Sequence, residues 1–250
     1  MNDRILSILV VTASIATIVF NGFAAAGYVG GVTPATVSDK FPTVVTPAGY
    51  AFSIWSLIFV GMIAFSIYQA LPSKYERLRG VRVPFILSCV FNCLWIVLWH
   101  NWFIGICVLV IAALWASLLV ANIKLGEASS AFEALMTKSP LGLYCGWVTA
   151  ATLVNFALYL RSIEVQLTPI QWNILGCSML GVAMIAAIVV RIKLRLFLFP
   201  LAVAWAATGI AVKQQGNTAI ILACAIVTIV CLVLAISFVM DLKSSSNEQR

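Results

Sequence analysis

One histidine, seven cysteines and eight Asp and Glu are the side chains of this 250-residue chain that could support acid–base, metal or nucleophilic chemistry. Their placement argues against most of it. Every Asp and Glu lies near a chain end or between long apolar runs, never in the middle of one. Proton-coupled transporters usually hold a carboxylate within the membrane. Ion-coupled pumping is therefore disfavoured, although backbone and hydroxyl groups at a broken helix could still hold sodium. Cys89, Cys93, Cys107, Cys145, Cys177, Cys224 and Cys231 fall in apolar runs, with neither a CxxC nor a histidine at zinc spacing. They read as small buried hydrophobes. No P-loop, GxSxG, HExxH or dinucleotide-binding glycine pattern occurs in a suitable setting. With no general acid–base pair either, an enzyme is the least favoured class.

His100 sits in Trp99-His100-Asn101-Trp102, at the outer end of an apolar run. It reads as an interfacial histidine within an aromatic belt, or as an axial tetrapyrrole ligand or titrating gate. Of the eight tryptophans, Trp99, Trp102 and Trp172 are expected near interfaces, and Trp55, Trp95, Trp115, Trp147 and Trp205 deeper. A deep indole needs an N–H partner. It serves helix packing or lines a pocket for a flat apolar ligand. Asn92 and Trp95 are neighbours on one helix face, and Tyr144, Trp147, Ala151 and Asn155 form an i, i+3, i+7, i+11 stripe. Both asparagines are expected to face the interior, joining helices, orienting a ligand, or both.

The elements that must position these residues follow from composition. The apolar share is 63% and the charged share 9%, against about 45–50% and about 25% in soluble domains. Soluble and disordered classes are excluded, and the solvent is a bilayer. The net charge of +7 reads as membrane topology rather than as a nucleic-acid surface.

A ruler of about 20 apolar residues gives eight candidate spans: 4–27, 49–70, 83–101, 102–122, 140–161, 171–191, 196–213 and 217–241. The expected fold is all-α, a polytopic membrane helix bundle. With both termini inside, twelve Lys and Arg fall in inner segments, including Arg4, Lys74, Arg77, Arg79, Arg82, Lys124, Lys138, Arg191, Lys193, Arg195, Lys243 and Arg250. Only Lys40, Arg161 and Lys213 fall outside, the asymmetry expected of cytoplasmic termini. The apolar stretch after Met1–Arg4 is expected to be a retained first helix rather than a cleaved signal peptide. A bacterial inner membrane is the expected location, since no transit peptide is evident.

The outer loop Tyr28–Ala48 shows no strong helix pattern and could cap an outer cavity. In the inner loop, Ser130 and Glu133 have capping-box spacing, with Phe132, Leu135 and Met136 on one face of a short interfacial helix. Pro84 and Pro140 are expected near helix starts, where a missing N–H costs little. Pro200 is expected inside the seventh span, as a kink.

Three segments carry a resemblance to a known family. Leu143-Tyr144-Cys145-Gly146-Trp147 through Asn155-Phe156, Phe91-Asn92-Cys93-Leu94-Trp95, and Pro47-Ala48-Gly49-Tyr50-Ala51-Phe52-Ser53-Ile54-Trp55 resemble the fifth, third and second helices of the TspO/MBR family. These are the tryptophan-rich sensory proteins related to mitochondrial translocator protein. Ala48 stands where the family has the second proline of a pair, Tyr50 where it has Trp, and Leu143 where it has Pro. The resemblance covers roughly residues 4–161. It implies a TspO-like five-helix bundle over 1–161, followed by three additional transmembrane helices over 162–250. It further implies a pocket under the first loop, with Tyr50, Trp55, Asn92, Trp95, Tyr144, Trp147 and Asn155 as ligand-binding candidates and a porphyrin or sterol-like lipid as ligand.

The leading expectation is a membrane protein that binds a hydrophobic or tetrapyrrole-like molecule as sensor or carrier. Two alternatives stand beside it. One is a permease for an uncharged solute, with Pro200 and Gly209 in a moving element. The other is a structural or pigment-holding subunit of a larger membrane complex. The partners expected are the lipid bilayer, a hydrophobic small molecule and a second copy or complex, without nucleic acid.

Overall fold

The computed structural model describes residues 2–237, and the regular structure among them is helical. Ten α-helices follow in order: α1 Asp3–Ala25, α2 Pro34–Lys40, α3 Ile54–Gln69, α4 Arg79–His100, α5 Ile104–Leu125, α6 Ala131–Met136, α7 Lys138–Ser162, α8 Pro169–Leu194, α9 Leu198–Lys213 and α10 Thr218–Ile236. A 3-10 turn, Gly49–Ser53, leads into α3. Seven helical stretches are long and apolar enough to cross a membrane. The eighth expected span is α9, whose 16 residues extend ~24 Å, less than a bilayer core of about 30 Å. Ile5, Ile8, Val60, Ile174, Ile185 and Ile229 are among the many large apolar residues left exposed. That outer surface suits lipid, and the chain is an integral membrane protein.

Local chemistry sets the helix ends. Thr168 and Gln171 form a full capping box ahead of Pro169 at the start of α8. Arg195, in the left-handed region at φ 54°, ends α8. Gly126 at φ 61° follows α5. The short turn between α4 and α5 places Trp102 at φ 66°.

Several expectations need correction. The outer loop is not helix-free: Thr33 caps α2, its Oγ1 accepting from the Thr36 amide, with Pro34 at the first position. Helix α4 starts at Arg79, so Pro84 lies inside it rather than at its start. Pro200 is the third residue of α9, within the first turn, where the missing N–H breaks no ladder bond and no kink is required. Ser130 does cap α6 through the Glu133 amide, but the Glu133 carboxylate turns to the Ser129 hydroxyl, so the box is half made. Phe132 and Leu135 of α6 are exposed, as an interfacial helix requires. Met1, Lys243, Arg250 and the end of the eighth expected span lie outside the described residues.

Five helices close a ring. α1 packs on α3 and α4, α4 on α5, α5 on α7, and α7 on α3. α7 is the best buried, with every residue from Lys138 to Ala150 inside. Helix α9 packs on the other side of α7, flanked by α8 and α10. Close approach there depends on glycine. A Cβ at Gly146 would collide with the Phe199 carbonyl oxygen, and one at Gly209 would stand 2.8 Å from Ala51 Cβ. α1 faces the ring with Ser7, Val10, Ser14, Thr17, Asn21 and Ala24, a stripe of small and polar residues at helical spacing.

Charged residues gather at one end of the ring. Arg82, fully buried, donates to Gln69 Oε1 at 2.9 Å, the Tyr75 carbonyl at 2.9 Å and Asp3 Oδ1 at 3.2 Å. Arg77 donates to the Leu125 carbonyl at 2.7 Å and pairs with buried Glu133 at 3.2 Å. Lys138 donates to the Leu194 carbonyl at 3.1 Å. These bonds hold the start of α1, α4 and α7 and the end of α5 and α8 at a common level. At the opposite end, Lys213 pairs with Asp39 at 3.0 Å.

Candidate ligand-binding site

The helix ring encloses a cavity of about 50 Å³. α4 contributes Asn92, Trp95 and Trp99, and α7 contributes Tyr144, Trp147 and Asn155. Asn21 enters from α1, Ser38 from α2, Phe52 from the 3-10 turn, Trp55 and Phe59 from α3, and Ile111 and Leu114 from α5. α9 reaches in with Ala206 and Ile210. Helix α2 thus roofs the cavity, and the Trp99 indole, donating to the Pro34 carbonyl at 3.2 Å, fastens that roof.

The aromatic rings form a connected wall. Trp95 and Trp99 stack with centroids 5.1 Å apart and planes 26° apart. Trp55 meets Trp95 edge-on at 6.5 Å, and Phe52 meets Trp55 at 5.8 Å and Trp147 at 6.0 Å. Polar groups form a second, short path. Asn21 Nδ2 donates to the Thr17 carbonyl at 2.8 Å and to Asn92 Oδ1 at 2.7 Å. Asn92 Nδ2 donates to the Tyr144 hydroxyl at 2.8 Å. Trp95 Nε1 donates to Asn155 Oδ1 at 3.0 Å, and Asn155 Nδ2 donates to the Ala151 carbonyl at 2.9 Å.

Six of the seven residues expected from the resemblance meet at this cavity: Trp55, Asn92, Trp95, Tyr144, Trp147 and Asn155. Tyr50 does not. It is 44% exposed, on the outer side of the 3-10 turn, where its ring meets Trp205 edge-on at 5.5 Å. Phe52, two residues on, takes the inward position. His100 is also apart from the cavity. It is buried, with Nδ1 2.8 Å from the Ile96 carbonyl oxygen, and Gly30 packs on it so closely that a Cβ there would stand 2.9 Å from the His100 carbonyl oxygen. Trp99, expected at an interface, is buried in the wall, because α2 covers the end of α4. Of the other deep tryptophans, Trp115 donates to Thr149 Oγ1 at 2.9 Å and Trp205 to the Ala51 carbonyl at 2.9 Å.

Asn21 carried a signal in the sequence, since an amide within an apolar span demands partners. Ser38, Ala206 and Ile210 carried none, because only the folding of α2 and α9 against the ring brings them in. Among the described residues no cluster of three metal-ligating side chains occurs, and all seven cysteines are free.

The sequence model of the TSPO-like protein family matches residues 7–238. This chain belongs to the TSPO-like protein family. The match takes in α8, α9 and α10 as well as the helix ring. No curated protein and no solved structure gives a significant match.

A second space adjoins the cavity of this TSPO-like protein. Asn21, Phe52, Trp55 and Phe59 line the cavity and also line a wider groove of about 460 Å³ between α1, α2 and α3. These four residues are common to the two spaces.

Proposed function

We propose that this TSPO-like membrane protein binds a hydrophobic small molecule, of the tetrapyrrole or sterol-like kind, in the tryptophan-lined cavity and acts as its sensor or carrier. The observation that carries this reading is the convergence of Trp55, Trp95, Trp99 and Trp147 with Asn92, Tyr144 and Asn155 on one enclosed space. Aromatic walls with a few fixed polar groups are the usual make-up of a site for a flat apolar ligand. The cavity of about 50 Å³ is small for such a ligand. In this reading the side chains of Phe52, Trp55 and Phe59, common to cavity and groove, swing outward and join the two on binding. The groove opens between α1 and α3, which gives the ligand a route sideways from the bilayer.

The helix ring within 1–161 is the binding unit in this reading, and 162–250 braces it through α9. Both termini lie in the cytoplasm of a bacterial cell, on the side where Arg77, Arg79, Arg82, Lys124 and Lys138 gather. The permease alternative drew on Pro200 and Gly209 as moving parts. Pro200 lies in a first helical turn and Gly209 packs on Ala51, a placement that favours a brace over a moving part.

Native mass spectrometry of the protein released from nanodiscs, together with quenching of its tryptophan emission by added porphyrin ester and by lipid extract, tests the reading. A copurified lipid-like or porphyrin species, or saturable quenching that Trp95→Ala abolishes, is the expected result. Absence of both would sink it.

A further inference from the structure

Two polar atoms on residues that line the cavity have no protein partner. Asn21 Oδ1 and Ser38 Oγ belong to side chains only 1% and 2% exposed, and neither makes a hydrogen bond. Both residues line the cavity. The orientation of the Asn21 amide is fixed, because its nitrogen faces two acceptors, the Thr17 carbonyl and Asn92 Oδ1. Its oxygen is thus an acceptor without a donor. The Ser38 hydroxyl can rotate to accept or donate. Buried polar atoms are nearly always paired, so each such exception calls for a cause.

The second observation concerns charge. Among the residues lining the cavity none is Asp, Glu, Lys, Arg or His. An enclosed anion there would lose its water without gaining a counter-ion, which is strongly unfavourable. The cavity offers an unpaired acceptor on Asn21, a hydroxyl on Ser38, aromatic and aliphatic surface around the rest, and no cation to balance a carboxylate.

We infer that the cavity selects uncharged ligands that present an O–H or N–H donor, which bonds Asn21 Oδ1 and Ser38 Oγ while the apolar body lies against Trp55, Trp95 and Trp147. Tetrapyrroles with ionised carboxylate side chains are rejected, and neutral hydroxylated or N–H-bearing polycyclic molecules are taken. This rests on the ligand-binding reading above and narrows it to a ligand class. It also gives the roof a role, since Ser38 on α2 completes the polar pole only when α2 is closed over the ring.

The test uses the full chain in phosphatidylcholine nanodiscs and three probes: carbazole, N-methylcarbazole and carbazole-3-carboxylate. Quenching of tryptophan emission reads binding. Carbazole is expected to quench saturably, N-methylcarbazole to bind about tenfold more weakly, and the carboxylate to show no saturable binding at neutral pH. The ratio between the first two should collapse towards one in Asn21→Ala and in Ser38→Ala. Ser38→Ala removes a hydroxyl that bonds nothing in the protein, so it keeps the fold even where Asn21→Ala does not. A ratio unchanged in both variants, whether one or ten, overturns the inference: the two atoms are then hydrated by ordered water, or the methyl group is excluded by size alone. Carboxylate binding as tight as that of carbazole overturns it as well. In each of those cases the ligand-binding reading survives, whereas failure of all three probes to quench saturably brings down both.

Discussion

The Trp95 indole N–H and the Asn155 amide oxygen meet across α4 and α7 at 3.0 Å. This bond fixes the plane of Trp95, and through it the stack with Trp99 and the edge contact with Trp55. It also solves the problem that a polar N–H poses deep in a bilayer. One hydrogen bond thus serves helix association and shapes the cavity wall.

Replacing Asn155 by Leu leaves the buried indole N–H without its acceptor. We expect a loss of about 1–2 kcal/mol of stability and at least a severalfold weakening of ligand quenching, because Trp95 is no longer held. Thermal unfolding in detergent and a quenching titration measure the two effects. A variant as stable and as tightly binding as the parent would show that Trp95 is positioned by packing alone.

Gly146 and Gly22 make opposite predictions from one type of change. Gly146→Ala drives a Cβ into the Phe199 carbonyl oxygen. Forcing α7 and α9 apart is expected to cost about 1–3 kcal/mol. Gly22 has nothing within 4 Å of an added Cβ, so Gly22→Ala should be neutral or stabilise by up to about 1 kcal/mol. Melting temperatures of the two variants, measured side by side, decide this.

Arg82 is buried among Gln69, Tyr75 and Asp3. Arg82→Met removes the donor that satisfies Gln69 Oε1 and the Tyr75 carbonyl, and we expect a loss of about 1–3 kcal/mol. Asp3 keeps Arg79 at 2.5 Å, so the damage should centre on the junction of α3 and α4. Hydrogen exchange mapped along the chain would show faster exchange at that junction. Uniform exchange with parental stability would refute the assignment.

Phe59 lines both the cavity and the lateral groove. Phe59→Ala is expected to speed both association and dissociation of a quenching ligand by severalfold, with a smaller change in Kd. Stopped-flow fluorescence separates the rates. A change confined to Kd, with association unaltered, would place the route elsewhere.

Much of the architecture was legible because the bilayer imposes it. A backbone in hydrocarbon must satisfy its own hydrogen bonds, so long apolar runs become helices. Asn92, Trp95, Tyr144, Trp147 and Asn155 could be grouped in advance because helical spacing places them on shared faces. Tyr50 escaped that logic, since the turn Gly49–Ser53 is a 3-10 turn and its facing depends on what packs around it. Helix α2 escaped it too, although Thr33-Pro34 is a helix-start signal, because seven residues are too few for an apolar period to show.

The sequence by itself determined a membrane-embedded helical chain, its eight apolar helices and most of the aromatic and amide residues of the site, since solvent and periodicity act along the chain. Tertiary structure alone decided that α1, α3, α4, α5 and α7 close into a ring, that α2 roofs it, and that α9 enters its wall. It also left Asn21 Oδ1 and Ser38 Oγ, on residues that line an uncharged cavity, without partners. Lipid solvates the outside of every such helix alike, so hydropathy carries no record of which faces meet. Close approach at Gly146 and Gly209 and directed hydrogen bonds between helices make that choice, and both exist only once the helices have packed.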